Sequence, residues 1–160
     1  MPVRIEDMCN EMRSGEGDHA VVHLEHNLCA ALSKAVVCRR IVYRGLSDRF
    51  LSPDRQQYMR RLLFAPVTFT LDCYASASVL REISEGFTFT EPDDDERTLS
   101  VLLQISSQTG RYLKPFRHEA KDEGEVVLLR GSRYRRISSE RKANPKPNLE
   151  YWVMQVEEIV

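Results

Sequence analysis

Two periodicities, and the order in which they come, constrain the fold most. From Asp18, a plausible N-cap, the run through residues 18–37 carries Val21, Leu24, Leu28, Ala31, Leu32, Ala35 and Val36 close to the 3.6-residue spacing, which predicts a helix. The last third instead holds short apolar or alternating runs cut by turn residues: 99–105, 125–129, 132–137 and 150–156. Runs 125–129 and 132–137 predict a hairpin turning at Arg130-Gly131. Between the two regimes, 39–45 is β-branched and aromatic and stopped by Gly45, and Ser52-Pro53 starts a helix to about residue 64. Residues 66–70 form a short strand, and a short helix through Val79, Leu80 and Ile83 takes Ser76 or Ser78 as its cap. Residues 86–97 and 109–122 read as connections. Helices first and strands after define an α+β class with a mainly antiparallel sheet.

At 160 residues the chain is one domain by length, with 1–17 as a flexible entry segment and 18–160 as the folded unit. Its 23 basic and 24 acidic residues leave a net charge of −1, so no bulk field points to nucleic acid or a membrane surface. No run reaches the roughly 18 apolar residues of a membrane-spanning helix, and the front of the chain has no signal-peptide pattern. The cysteines at 9, 29, 38 and 73 lack any C-x-x-C spacing and read as reduced, buried thiols of a cytosolic chain. His19, His23 and His26 fall at i, i+4 and i+7 with Cys29 continuing the row. A structural zinc wants four closely packed ligands, so the row reads as a solvated helix face and no metal is expected.

The candidate for chemistry lies at residues 122–134, where Glu123 and Glu125 stand one residue apart at the mouth of an apolar strand. In an extended chain residues i and i+2 point the same way, so the two carboxylates look out side by side. Like charges held that close repel unless a cation belongs with them.

Three short segments line up in order: Tyr43-Arg44-Gly45 at a strand end, Tyr74-Ala75-Ser76-Ala77-Ser78 before a helix, and Glu123-Gly124-Glu125 at a strand mouth. This order resembles the Arg, Ser-Thr-Ser, Glu-x-Glu signature of the arginine-directed mono-ADP-ribosyltransferases, with Ala77 in place of the Thr. The Gly131-Ser132-Arg133-Tyr134 run and the closing 151–159 strand are similar to the family as well, so the likeness covers residues 39–160. The resemblance implies an ADP-ribosyltransferase-like fold, a short N-terminal helical lobe before a mainly antiparallel split β-sheet core. It implies NAD as cosubstrate and an arginine-bearing protein or peptide as acceptor. Arg44 would bind the pyrophosphate through charge-assisted hydrogen bonds, and Ser76 and Ser78 would complete the NAD side. Glu125 would stabilise the oxocarbenium-like ribose left by nicotinamide, and Glu123 would orient the acceptor guanidinium and take its proton. A pocket that keeps its carboxylates without holding NAD still attracts arginine, so binding of arginine-containing peptides without catalysis is the alternative. The compact size most resembles the transferase-like domains of type III effectors of plant-pathogenic bacteria, of the XopAI kind. That implies a monomer delivered into a host cell without a cleaved signal and acting on a host protein.

Overall fold

The computed structural model describes residues 19–48, 53–64, 67–88, 98–113, 124–143 and 148–160. Among the described residues, helices α1 (His19–Lys34), α2 (Pro53–Phe64) and α3 (Arg81–Thr88) accompany nine strands. In chain order these are β1 (Val36–Val37), β2 (Ile41–Ser47), β3 (Thr68–Thr70), β4 (Ala75–Ser78), β5 (Thr98–Ser106), β6 (Arg111–Tyr112), β7 (Glu125–Leu128), β8 (Arg133–Lys142) and β9 (Leu149–Ile159). They form one sheet in the order β1-β6-β7-β4-β2-β5-β9-β8-β3, in which, among the described residues, only the β5–β9 pair is parallel.

Alternation along the strands sorts the side chains. Leu99, Val101, Leu103 and Ile105 of β5 join Val42, Met154, Val156, Ala75, Ala77, Val126 and Leu128 in one buried cluster, to which α2 adds Met59. On the other face Leu102, Tyr151 and Val153 pack with Tyr43. Burying each aliphatic side chain stabilises by roughly 1.5–3 kcal/mol, so truncating Met154 to Ala would cost about 2–5 kcal/mol. Side-chain hydrogen bonds pin α3 to the sheet: Ser84 Oγ donates to the Tyr43 carbonyl at 2.8 Å and Ser100 Oγ to the Thr88 carbonyl at 2.7 Å.

Several boundaries differ from the sequence reading. The first helix stops at Lys34, and Val36 and Val37, expected within it, pair as a strand with Tyr112 and Arg111. The 75–78 segment is itself a strand, and α3 runs on through Gly86 to Thr88, where a loop was expected. The turn at Arg130-Gly131 exists, with Gly131 at φ +82°, but the strands beside it do not form a hairpin. The Gly131 N–H donates to the Leu71 carbonyl at 2.8 Å and the Leu71 N–H to the Ser132 carbonyl at 2.9 Å. The Ser132 N–H still closes the turn on the Leu129 carbonyl at 3.2 Å, but Leu71 takes the Ser132 carbonyl that would continue a hairpin, and β7 joins β4 while β8 joins β9. Of the thiols, Cys38 and Cys73 are buried as expected, whereas Cys29 is exposed; Cys9 lies outside the described residues.

Candidate functional site

β4 is short and reads Ala-Ser-Ala-Ser, so its small residues alternate cleanly between faces. Ala75 and Ala77, each 6% exposed, point into the main core, while Ser76 and Ser78 point the other way. β7 runs antiparallel to it with Ser78 opposite Glu125 and Ser76 opposite Val127. Ser76 and Glu125 are therefore diagonal neighbours on one face, within reach of a short side chain. Ser76 Oγ donates to Glu125 Oε1 at 3.1 Å. On β2, next to β4, Arg44 extends its guanidinium to the same residue, Nη1 donating to the Ser76 carbonyl at 2.5 Å. The strands thus bring Arg44, Ser76 and Glu125 into one hydrogen-bonded row.

The remaining predicted positions fall differently. Ser78 is buried and its Oγ accepts the Leu80 N–H at 2.9 Å, so this serine, not Ser76, shapes the turn into α3. Glu123 lies outside the described residues. The face carrying Ser76 is covered further along by α1, where Leu32 packs on Tyr74 and Val127, leaving Ser76 exposed and Glu125 partly so. A carboxylate held by one hydrogen bond and still open to solvent can meet an incoming cation or a positively charged reacting carbon.

Three supports carried weak signals or none in the sequence. Gly124 adopts φ +59°, and a Cβ there would stand 2.4 Å from Val79 Cγ2. A residue without a side chain is required at that bend, and its placement between two glutamates was the available clue. The Gly124 carbonyl accepts the Val79 N–H at 2.9 Å, tying the exit of β4 to the entry of β7. The Tyr74 hydroxyl lies 2.6 Å from Cys29 Sγ on α1, a pairing with no local signature. Arg81, in the first turn of α3, lies 6.0 Å over the Tyr43 ring and bonds Glu85 Oε1 through Nε at 2.6 Å. That hydrogen bond raises the Arg81 pKa, while burial, with the Glu85 charge adding to it, raises that of the Tyr151 hydroxyl. Among the described residues no three His, Cys, Asp or Glu side chains gather as metal ligands; the His19 and His23 side chains lie outside them.

No protein-family model matches the chain, and no curated protein sequence matches it. Its fold, however, is similar to solved structures of bacterial toxins. The Vis toxin of Vibrio splendidus, an ADP-ribosyltransferase, superposes with a TM-score of 0.66 at 18% identity over 96% of this chain and 66% of its own. A second Vis structure, in complex with agmatine, gives 0.66 at 19% over 96% and 67%. The Clostridium limosum C3 exoenzyme gives 0.67 at 15% over 96% and 78%. The ADP-ribosylating toxin BECa of C. perfringens, solved with NADH, gives 0.63 at 13% over 95% and 39%. The chain thus spans about two thirds of the Vis toxin's length. Its nine-stranded, mostly antiparallel sheet with few helices has the ADP-ribosyltransferase fold.

Proposed function

We propose that the chain is an NAD-dependent mono-ADP-ribosyltransferase that modifies arginine on another protein. The observation that carries this reading is the row of Arg44, Ser76 and Glu125, in which Ser76 Oγ holds Glu125 Oε1 and Arg44 holds the strand between them. In the proposed reaction the N-glycosidic bond to nicotinamide breaks and its electron pair neutralises the pyridinium. A guanidinium nitrogen of the acceptor then bonds to the ribose carbon and one proton is released. Glu125 stabilises the positive charge developing on the ribose, and Ser76 keeps that carboxylate aimed. Arg44 receives the pyrophosphate, with Ser78 shaping the turn beside it. Glu123, by the motif, orients the guanidinium and accepts the proton.

The neighbouring structures support the substrates: BECa was solved with NADH, and Vis with agmatine, itself a guanidine. Ala77 does not count against catalysis. Its side chain packs in the core, so replacing a hydroxyl there takes nothing from the face that bears Ser76. Incubation with labelled NAD and agmatine or an arginine-rich protein mixture tests the reading: wild type transfers label and Glu125→Gln does not. Absence of both transfer and calorimetric NAD binding in the wild type would overturn it. We further propose that the chain acts as a monomer, is delivered as a type III effector and acts on a plant host protein. Label appearing on no protein of a plant lysate would count against that target, and a translocation-reporter fusion retained in the bacterium would count against that route.

A further inference from the structure

Where β2 begins at Ile41, the sheet carries a recess of about 170 Å³ that no described element covers. Its floor is polar: Gln104 of β5 and Gln155 of β9 are register partners, with Ser106 beside them. Its two sides are aliphatic, Ile41 at the start of β2 and Ile137 on β8, 45% and 54% exposed. Ile137 stands there because of a β-bulge: the register slips between Arg136 and Ser138, leaving Ile137 as the extra residue. Bulges commonly re-aim a side chain where a strand has work beyond pairing. A β-branched apolar residue turned to solvent across from a second one is a cost to solubility that a bound partner removes.

Arginines stand near the recess in sequence and register. Exposed Arg39 and Arg40 immediately precede Ile41, and on β8 exposed Arg135 is the register partner of Glu157, with exposed Arg133 two residues before it. Among the described residues that line the recess the one carboxylate, Glu157, accepts from Arg135 Nε at 2.7 Å, so its charge is answered within the protein. With a net charge of only −1 over the whole chain, this concentration of arginines is a local asymmetry. A concavity of this size takes one aromatic ring or branched aliphatic group, unlike the protruding apolar surface that a bilayer demands. Amides on the floor can pair with the backbone flanking such a group, and the arginines favour carboxylates on either side of it.

We infer that this recess docks an acidic segment of a partner protein, with one aromatic or aliphatic side chain seated between Ile41 and Ile137 and its carboxylates on Arg39, Arg40 and Arg133. The inference does not rest on transfer chemistry and is tested without NAD. The probe is a fluorescein-labelled peptide, Asp-Glu-Asp-Phe-Asp-Glu-Asp, titrated with the full chain and read by anisotropy. The expected result is binding at least about tenfold tighter than that of the same peptide with Ala for Phe, or with Asn and Gln for its acids. Ile137→Asp and Ile41→Glu each remove that preference, and Arg39→Glu with Arg40→Glu lowers affinity and flattens its salt dependence. Both isoleucines are exposed, so unchanged thermal unfolding accompanies the loss, and either variant suffices if the other misfolds. Equal affinity for all three peptides overturns the inference. So does binding of phosphatidylserine vesicles in preference to the peptide, or self-association of the chain that Ile137→Asp abolishes.

Discussion

Ser76 and Glu125 are diagonal neighbours across the antiparallel β4–β7 pair, and the serine hydroxyl donates to the carboxylate at 3.1 Å. Ser76 is exposed, so removing its hydroxyl leaves packing intact and frees the carboxylate to rotate. Ser76→Ala is expected to lower the transfer rate by about a hundredfold, the scale for losing one preorganised polar group. Its unfolding midpoint should stay at the wild-type value. A rate within twofold of wild type would show that Glu125 is held by other means.

Ala77 offers the complementary test, because it occupies the core side of the same strand. Restoring a threonine places a hydroxyl and a methyl among packed aliphatic groups, at a cost of about 1–3 kcal/mol from overpacking and from the buried hydroxyl. Ala77→Thr should therefore unfold at lower denaturant while the activity of the folded fraction does not rise. A gain in activity with unchanged stability would mean that position 77 faces the substrate.

These two neighbours show what was legible in the chain. The order Arg44, Ser76, Glu125 is carried by three short motifs, and two-residue alternation along β4 and β7 puts Ser76 and Glu125 on one face, while Arg44 reaches the Ser76 backbone carbonyl from β2. The helix over most of 18–37 and the closing strand were equally legible, since both depend on local periodicity. What escaped was pairing set by distant partners. Val36 and Val37 continue the helical spacing, yet they leave the helix because Arg111 and Tyr112 offer backbone partners. The Arg130-Gly131 turn was visible, whereas the hydrogen bonds from Leu71 that divert β8 away from β7 were not. Glu157 and Glu158 look alike in sequence, and the register of β8 and β9 gives them unrelated partners, Arg135 and Tyr134.

Glu158 is 9% exposed, and its carboxylate accepts the Gln108 N–H at 2.6 Å, the Thr109 N–H at 2.9 Å and the Thr109 hydroxyl. It locks the loop from β5 into β6, and the Leu113 N–H just beyond β6 donates to the Glu125 carbonyl at 2.9 Å. Glu158→Ala leaves two amides without their acceptor, each such charge-assisted bond being worth about 1.5–3 kcal/mol. The expected result is a loss of that order in denaturant stability, with hydrogen exchange at Gln108 and Thr109 accelerating before that of the β5 amides. Unchanged protection at both amides would remove Glu158 from this role.

Gly124 is the hinge between the two candidate carboxylates, and its left-handed backbone leaves no room for a side chain. Gly124→Ala adds about 1–2 kcal/mol of backbone strain and sets a methyl 2.4 Å from Val79 Cγ2, which must move. Because Val79 is bonded to the Gly124 carbonyl, the shift passes directly to the turn after Ser78 and to Glu125. The expected outcome is a loss of both stability and transfer rate, larger in rate than Ser76→Ala alone.

Alkaline pH tests the core through Tyr134, which is 1% exposed and opposite Glu158. Burial first, and the Glu158 charge second, push its hydroxyl pKa well above the ordinary value of 10. The unfolded chain ionises this group near pH 10, while the folded chain keeps it neutral. Between those values the unfolded state holds fewer protons, so the stabilising contribution is complete below pH 10 and falls away as pH rises above it. Tyr151 shifts in the same direction, again chiefly by burial, and adds to the slope. Denaturant midpoints measured from pH 8 to pH 11 should stay level up to about 10 and then decline, more shallowly in Tyr134→Phe. An equal decline in Tyr134→Phe would assign the alkaline loss to other groups.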